Sequence, residues 1–471
     1  MLPPEPYEPP APKPHGRAPG LVKLLTTLKR NPLECWSEEH FTKPIAKVRI
    51  PIGQVLLVHE PSAIRHVLLD NAGNYRKDPI QRRVLSAGLG DGLLSAEGEQ
   101  WQMQRRTLAP LFARKTVTGF TTAMKSAADQ FTERWRTLGR DPTVDVAAEM
   151  ALLTLNVLAL TIFSDGLRSD LEEFRLAMNA YFAAIGRIGA LDLFGVPDFV
   201  PRPGRDRLRT TMAYFEKIID EIIEARRRRL DKTPNDAPTD LLTLLLRALD
   251  PSTGRPMTLT EVRSNILTFL SAGHETTANT LAWSFYLLSQ SDEWRERVEA
   301  EADRELDGPL DGLADRLVVT KAVIEEAIRL YPPISALSRI ADKVDVVGGE
   351  TVKKRSLIVI APYILHRHVT LWERPNAFDP SRFLGDARAR INRFAYMPFG
   401  AGPRICIGSS FALQEATLVL ATLTRHFRMR LDPATKVWPL MRVTLRPANG
   451  LPMRLEARQA GYARGAPALL G

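Results

Sequence analysis

The sequence predicts a mainly α-helical protein with small β-sheets, an α+β fold built as one large domain. Apolar residues recur with helical periodicity over most of the chain, whereas strand-like stretches are few and short. These stretches lie towards the two ends of the sequence, on either side of a long helical middle. Because early and late strands are able to pair in one sheet, independent domains are not expected. The 471 residues, 44% of them hydrophobic, suffice for a large core.

Each predicted helix follows apolar residues spaced three or four positions apart. The predicted helices span 61–69, 99–112, 117–138, 146–163, 171–187, 206–231, 239–249, 259–290, 292–306, 319–330 and 409–427. The predicted strands span 47–52, 55–59, 344–347, 350–352 and 357–361, with a last pair near 428–431 and 441–446. The polar, proline-bearing segment 232–238 is a predicted linker between two helices, and no internal repeat is evident.

The cysteine content and the N-terminal composition indicate the cellular setting. Only Cys35 and Cys406 occur, which excludes a disulfide framework and favours a reducing compartment. No run of about eighteen apolar residues occurs, so we expect no transmembrane helix. Residues 1–20 contain eight prolines and no apolar core, which predicts an extended arm rather than a signal peptide or membrane anchor. We therefore expect a cytoplasmic protein.

The net charge of +10 raises the question of an acidic partner. Basic residues cluster at Arg105-Arg106, Arg114-Lys115, 226–229 and 388–393. They lie on separate predicted elements, without a nucleic-acid-binding motif or interleaved aromatic residues, so the sequence favours an acidic protein partner over nucleic acid. The run 226–229 ends a predicted helix, where we expect a solvated last turn whose charge suits the helix dipole.

The segment 399–408, Phe-Gly-Ala-Gly-Pro-Arg-Ile-Cys-Ile-Gly, presents one cysteine in a glycine-rich loop ahead of a helical pattern. A thiolate is a strong ligand for haem iron and favours cleavage of an O–O bond. Gly400, Gly402 and Gly408 allow backbone geometry and close approach that side chains forbid. The helix that follows directs its positive end at Cys406, which favours the thiolate. The competing interpretation is a buried structural cysteine in a glycine-rich turn.

The middle of the predicted helix 259–290 carries the unusual stretch 272–277, Ala-Gly-His-Glu-Thr-Thr. Glycine and threonine are poor helix formers, and such a helix is often kinked, since a threonine hydroxyl bonds the carbonyl one turn back. The competing interpretation is a helix contact that requires small residues. His274 has no second ligand at helical spacing and is expected to be a polar or substrate-facing residue. His366 and His368, in a loop, are assigned no ligand role.

The cysteine loop matches, at every fixed position, the haem-binding signature of the cytochrome P-450 family, Phe-x-x-Gly-x-Arg-x-Cys-x-Gly. The chain resembles a soluble, bacterial-type member of that family. The resemblance implies a single large triangular, helix-rich catalytic domain enclosing haem over residues 21–456, with a flexible tail over 457–471. It implies haem b, iron protoporphyrin IX, as the cofactor, with Cys406 as the axial ligand of its iron. The loop residues that it assigns to cofactor binding are Phe399, Gly402, Arg404, Cys406 and Gly408.

The stretch 272–277 is similar to the oxygen-binding groove of the same family. The resemblance implies that Ala272 and Gly273 leave room for haem and dioxygen. It implies that Thr276 donates a hydrogen bond in this groove and that Glu275 relays protons from solvent. Glu275 and Thr276 are thus the expected catalytic residues.

A charged pair on one helix face has two interpretations. Glu326 and Arg329 are three residues apart and share a face, as in an ordinary surface ion pair. The abrupt helix stop that follows and the later Arg382 favour a buried group instead. The arrangement resembles the family's Glu-x-x-Arg pair with its partner arginine, which implies a structural triad of Glu326, Arg329 and Arg382. Ser381 departs from the acidic residue usual in the family, without consequence for Arg382.

Three arginines and a tryptophan resemble the family's contacts to the haem propionates. Trp101 and Arg105 lie one turn apart in the predicted helix 99–112, which in isolation is equally an amphipathic helix with one aromatic residue. Arg339, after the turn that ends the triad helix, matches a further contact. The resemblance implies that Trp101, Arg105, Arg339 and Arg404 neutralise the propionates.

The function implied by the resemblance is that of a haem-thiolate monooxygenase, which inserts one oxygen atom of O2 into a lipophilic organic substrate by hydroxylation. A fatty acid, a terpenoid or a steroid is the expected substrate, because the residues at the family's pocket positions are mostly apolar. These positions are 79–94, 181–199, Phe269, Ala272, Thr276 and 334–337.

No redox module is fused to the chain, so the resemblance implies that electrons come from NAD(P)H through ferredoxin reductase and an acidic ferredoxin. This partner is expected to dock on a basic face near the cysteine loop and the segment 99–112. One alternative is a peroxygenase or isomerase, but peroxygenases of the family lack the acid–alcohol pair. The other is a non-catalytic haem sensor or electron carrier, which needs neither a substrate cavity nor a proton relay.

Overall fold

The computed structural model describes residues 6–50, 53–79, 86, 89–164, 176, 180 and 205–458. Helices dominate this part of the chain, as the periodicity predicts. The α-helices in chain order are α1 Leu21–Arg30, α2 Glu38–Thr42, α3 Pro61–Arg65, α4 Gly98–Leu108, α5 Arg114–Thr118, α6 Thr121–Arg136, α7 Val146–Phe163, α8 Arg205–Lys232, α9 Leu241–Arg247, α10 Leu259–Ser289, α11 Asp292–Glu305, α12 Leu313–Arg316, α13 Val318–Leu330, α14 Pro362–Leu365, α15 Gly385–Arg390 and α16 Ser409–His426. The helix predicted at 171–187 lies outside the described residues.

The strands join the two ends of the chain. They are β1 Ile45–Ile50, β2 Gly53–Val58, β3 Tyr75–Arg76, β4 Thr143–Asp145, β5 Leu337–Ala341, β6 Asp345–Val347, β7 Glu350–Val352, β8 Leu357–Ile360, β9 Phe427–Leu431, β10 Pro439–Met441, β11 Leu445–Pro447 and β12 Pro452–Ala457. A five-stranded sheet has the order β1-β2-β8-β5-β3. Its early strand β2 runs parallel to the late strand β8, with Val55 opposite Leu357. The expectation that early and late strands share a sheet is confirmed.

Two predictions of local structure are wrong. The helix predicted at 117–138 is divided into α5 and α6, because the chain turns at Gly119 and Phe120 before the second helix begins. The last predicted strand pair is also different. Strand β9 pairs with β12, and the segment 441–446 instead forms one side and the turn of the hairpin β10–β11. The partner of β9 is β12, which lies further along the chain, so the local pattern could not predict this pairing.

The core surrounds α10, a helix that is buried along most of its length. It packs chiefly against α7, and α16 packs between α6, α11 and α10. Helix α7 is long and apolar enough to cross a membrane, but 67% of it is buried inside the protein. It is therefore accounted for as a core helix.

The described part of the N-terminal arm is extended and is held against the domain. The Tyr7 hydroxyl is 2.6 Å from that of Tyr286 on α10, and the Tyr7 carbonyl accepts from the Phe378 N–H at 2.8 Å. The Tyr331 hydroxyl donates to the Pro10 carbonyl at 2.8 Å. The arm thus packs against the rest of the described chain, although its composition predicts only an extended arm.

One basic side chain departs from the expectation of a solvated helix end. Arg226 is buried, and its Nη1 lies 2.5 Å from Oδ1 of Asp240 and donates to the hydroxyl of Thr243 at 2.7 Å. Its Nη2 donates to the Phe163 carbonyl at 2.9 Å. The prediction failed because a run of charges does not show which member points inward. Arg226 ties α8 to the start of α9 and the end of α7.

Candidate active site

The cysteine loop is fixed by its backbone. Gly402 has a φ of +72°, and a Cβ at this position would lie 1.7 Å from the Leu68 carbonyl oxygen. Only glycine fits this contact between two main chains. The Cys406 N–H donates to the Phe399 carbonyl at 2.8 Å, which closes the loop on itself. The loop therefore needs Gly402 for packing, as well as for its turn.

The thiol of Cys406 is accessible although protein surrounds it closely. Burial raises the pKa of this thiol, while a hydrogen bond from the Gly408 N–H and the positive charge of Arg105 lower it. Helix α16 begins at Ser409, three residues beyond the sulfur, so its positive end acts in the same direction. An accessible thiol in such surroundings is available as a ligand.

Two arginines near the thiol form no ion pair with a carboxylate of the described residues. Burial lowers the pKa of Arg105, and burial together with nearby Arg404 lowers that of Arg339 to about 10. Nη1 of Arg339 donates a hydrogen bond to the Ser338 carbonyl at 2.7 Å. Guanidinium groups are costly to bury without an anion. Their arrangement suits a ligand that carries carboxylates.

Arg404, predicted to contact a propionate, also has a protein partner. Its Nη2 donates to Oε2 of Glu97 at 2.7 Å, and its guanidinium lies 4.2 Å from the Trp101 ring centroid. Trp101 and Arg404 are thus brought together, as predicted, but by a stacking contact. Glu97 was missed, because nothing in the sequence links it to a residue of the cysteine loop.

Helix α10 exposes a short face in an otherwise buried element. Ala272 is exposed, and Gly273 and Thr276 are partly exposed, whereas most other residues of the helix are buried. The Thr276 hydroxyl donates to the Ala272 carbonyl at 2.7 Å, the bond one turn back that the sequence suggests. The α-helix continues through this stretch without a break.

Gly273 also contributes to the packing of α10 against α7. A Cβ there would lie 3.1 Å from Cδ2 of Leu158, on the neighbouring helix α7. The missing side chain therefore allows α7 and α10 to approach closely. The expectation that Ala272 and Gly273 leave room for haem stays a prediction, and both residues are at least partly exposed.

Glu275 is buried, and the groups around it come from the end of the chain. Burial raises the pKa of its carboxyl, while a hydrogen bond from Thr444 and the charge of Arg446 lower it. Nη1 of Arg446 lies 3.7 Å from Oε1 of Glu275. Oε2 is buried and has no hydrogen-bond partner within the described part of the chain. The sequence gave no indication of Thr444 or Arg446, which reach the acid only through the fold.

The predicted triad forms a buried cluster. Arg329 and Glu326 have side chains that are 0% exposed, and Nε of Arg329 lies 2.6 Å from Oε2 of Glu326. Arg329 also donates to the carbonyls of His366, Pro375 and Ala377. Nε of Arg382 lies 3.6 Å from Oε1 of Glu326. The cluster fixes the segment that precedes the cysteine loop.

The histidines take structural positions. His274 is fully buried rather than turned to a substrate-facing surface, and the Met397 N–H donates to Nε2 of His366 at 3.0 Å. Nε2 of His368 lies 3.1 Å from the Lys43 carbonyl. Within the described ranges, no group of three or more histidine, cysteine or acidic residues is arranged to hold a metal ion.

Comparison with known proteins decides the family. The family model described as "Cytochrome P450" matches residues 9–452. The chain belongs to the cytochrome P450 family. This P450 is 34% identical over 89% of its length to the cyclooctat-9-en-7-ol 5-monooxygenase of Streptomyces melanosporofaciens, of which 90% is covered. It is 31% identical over 95% of its length to the pentalenene oxygenase of Streptomyces avermitilis, of which 98% is covered.

Solved structures give the same assignment. A cytochrome P450DA haem domain aligns with a TM-score of 0.80 at 25% identity, covering 97% of this chain and 99% of that one. The predicted fold class is confirmed, and the protein is a cytochrome P450 monooxygenase, an oxidoreductase with haem as its cofactor. The exposed Cys406 fits such a group, as do the guanidinium groups of Arg105 and Arg339, which form no ion pair with a carboxylate of the described residues.

Proposed function

We propose that this P450 hydroxylates a lipophilic substrate of the terpenoid type, with electrons from a separate acidic ferredoxin. The observation that carries the proposal is the accessible face of α10, formed by Ala272 and Thr276, in a protein that also presents an accessible Cys406. Helix α10 packs against α16, the helix that follows the cysteine loop, and a monooxygenase needs such an accessible face near its haem. The named relatives support the reaction class.

The residues of this face have separate roles in the proposal. Bound haem, ligated by Cys406, supplies activation of dioxygen. Arg105, Arg339 and Arg404 neutralise its carboxylates and so orient it. Thr276 holds a hydroxyl that is able to exchange its bond to the Ala272 carbonyl for one to a group in the groove. Glu275, whose pKa is raised by burial, holds the proton that this hydroxyl passes on.

The substrate class rests on the apolar lining and on the relatives. Phe269 is buried and contacts Phe112 edge to face, with ring centroids 5.0 Å apart. Phe269 lies on α10 itself, three residues before Ala272, and Phe112 lies between α4 and α5. Of the fatty acid, terpenoid and steroid classes, the relatives' names, a cyclooctat-9-en-7-ol 5-monooxygenase and a pentalenene oxygenase, favour the terpenoid. The pocket positions 181–199 lie outside the described residues.

A ferredoxin partner is proposed from the surface charge. Three basic side chains are exposed. Arg390 and Arg393 precede the cysteine loop in the sequence, and Lys115 lies on α5, which packs against α16. Other arginines of the predicted basic face are already paired, Arg106 with Asp250 and Arg388 with Glu325. The docking surface is accordingly smaller than the sequence suggests. NAD(P)H supplies the electrons through a reductase, and the cytoplasm is the proposed location, in keeping with the bacterial relatives.

The first experiment is the optical spectrum of the dithionite-reduced protein with carbon monoxide. A Soret band at the strongly red-shifted thiolate position, lost in Cys406→Ser, is expected. A band at the position of histidine-ligated haem would reject the ligand assignment. Titration with terpenoids, fatty acids and small polar aromatics follows, and a high-spin shift with the polar aromatics alone would reject a lipophilic substrate.

Turnover then separates the alternatives. A monooxygenase forms product from NAD(P)H, O2 and the ferredoxin system. Product from hydrogen peroxide at an equal or higher rate would identify a peroxygenase, and the absence of any substrate-induced spin shift would identify a sensor or electron carrier.

A further inference from the structure

The side of α10 that carries Glu275 is held by the C-terminal hairpin. Glu275, Asn279 and Trp283 follow one another at intervals of one helical turn. Nδ2 of Asn279 donates to the Thr444 hydroxyl at 3.0 Å, and Nε1 of Trp283 donates to the Leu445 carbonyl at 3.2 Å. The hairpin is therefore docked on α10 by two hydrogen bonds that do not involve the acid.

The hairpin is itself anchored elsewhere. The Leu445 N–H donates to the Pro333 carbonyl at 3.0 Å, and the Arg442 N–H donates to the Thr444 carbonyl at 3.1 Å across the turn. Leu445 and Thr444 are buried. Since the strand cannot slide along α10 without breaking these bonds, the positions of Thr444 and Arg446 relative to Glu275 are fixed.

Two groups of the hairpin act on the Glu275 carboxyl. The Thr444 hydroxyl forms a hydrogen bond with it, and the Arg446 guanidinium is 3.7 Å from Oε1. Both favour the ionised form, against the effect of burial. The Arg446 side chain is 44% exposed, so it is the more hydrated partner of the two ions. One oxygen of the carboxyl is thus engaged, and no described residue forms a hydrogen bond with the buried Oε2.

We propose that Arg446 and Thr444 are positioning residues for the proton relay, which set the orientation and the proton affinity of Glu275. This inference rests on the proposed role of Glu275. A buried carboxyl held only by burial would keep its proton, and one held by a close, dry ion pair would not take one up. The 3.7 Å contact to the hydrated Arg446 leaves the Glu275 carboxyl able both to release a proton and to take one up.

The test follows the pH dependence of coupling, measured as product formed per NAD(P)H oxidised by the holoenzyme with its redox partners. Coupling requires protonated Glu275, so it falls as pH rises through the pKa of this carboxyl. Removal of the positive charge in Arg446→Met raises that pKa, and the midpoint should move up by about one pH unit. Arg446→Lys should return the midpoint most of the way to its wild-type value. Thr444→Val should also raise the midpoint, and Arg454→Met, at an exposed position of the central strand β12, should leave it unchanged.

Direct titration of the carboxyl separates this inference from the role of the acid. Infrared difference spectra against Glu275→Gln give its protonation at each pH, without turnover. An unchanged titration in Arg446→Met would overturn the positioning role, whatever the activity. If Glu275→Gln retains full coupling and its pH dependence, the proposed relay fails, even where the infrared shift in Arg446→Met is found. If Arg446→Met shifts both the coupling midpoint and the infrared titration, the positioning role and the proposed relay are both supported.

Discussion

The Thr276 hydroxyl is the reactive group most easily isolated by a single substitution. It lies on the accessible face of α10 and is bonded to a carbonyl of its own helix. The adjacent Thr277 has a hydroxyl that is buried without a hydrogen-bond partner among the described residues. The two threonines have the same chemistry and opposite surroundings, which makes them a matched pair.

Thr276→Val should uncouple the enzyme. We expect product per NAD(P)H to fall at least about 10-fold, because a positioned proton donor contributes on the order of 10²–10⁴ to such steps. Oxidation of NAD(P)H should persist, with peroxide formed in place of product. Thr277→Val should change coupling by less than about twofold. Equal effects of the two substitutions would remove Thr276 from the relay.

Individual site residues were predictable to the extent that their roles depend on spacing along the chain. The cysteine loop and the pair Glu326 and Arg329 belong to short motifs, and the structure brings the latter together with Arg382 as expected. Glu97 and Arg446 were missed, since each reaches its partner from a distant part of the sequence. Spacing does not encode such contacts.

Among the elements, the cysteine loop depends most on one residue. Gly402 combines a left-handed φ with a Cβ position 1.7 Å from the Leu68 carbonyl oxygen. Gly20, by contrast, has a φ of −62° and open space around its Cβ position. The backbone at Gly402 has to shift if a side chain is added, and the loop shifts with it.

Gly402→Ala should therefore lower both thermal stability and haem content. A cost of several kcal/mol is expected, because strain at a positive φ and a main-chain clash combine. Differential scanning fluorimetry and the haem-to-protein ratio measure the two effects. Gly20→Ala is the control and should change neither. A normal haem content in Gly402→Ala would show that the loop is not held by this contact.

Element boundaries followed from periodicity where a helix has a continuous apolar face. Helix α7 was predicted with the observed bounds, Val146–Phe163, and α10 to within one residue. Strand β5, Leu337–Ala341, was missed, because its residues are half-buried and do not alternate. The pairing of β9 with β12 was missed because it is set by tertiary contacts. The burial of Arg226 was missed for the same reason, because tertiary contacts determine it.

For the molecule as a whole, buried histidines determine the response to acid. Burial, with nearby His368 and His40, lowers the pKa of His59 to about 3, and neither of its ring nitrogens has a hydrogen-bond partner among the residues that the structure describes. Burial, with Arg329 and Arg367, holds the pKa of His366 well below its usual value. Both side chains are thus neutral in the folded protein near pH 6, where an unfolded chain with a histidine pKa of about 6.5 begins to bind protons.

Acid should therefore destabilise the protein before its carboxylates protonate. The folded pKa of His59 is depressed, so its contribution is present above about pH 6.5 and is lost as pH falls towards 3. Each such histidine adds a slope approaching about 1.4 kcal/mol per pH unit. Urea denaturation between pH 7.5 and 5 measures the slope, which should decrease in His59→Leu. The same slope in that variant would show that His59 ionises freely in the folded protein.

The contact between Gly402 and the Leu68 carbonyl also sets a sequence of events during synthesis. The segment His66–Asp70, which contains Leu68, leaves the ribosome early. The cysteine loop that rests on it is synthesised later, after α15 and just before α16. Contacts between such distant segments form late in folding. A nascent chain that stops before this loop contains Cys35 but lacks Cys406. With Cys406 as the proposed ligand, haem is therefore expected to bind only after most of the polypeptide has been synthesised.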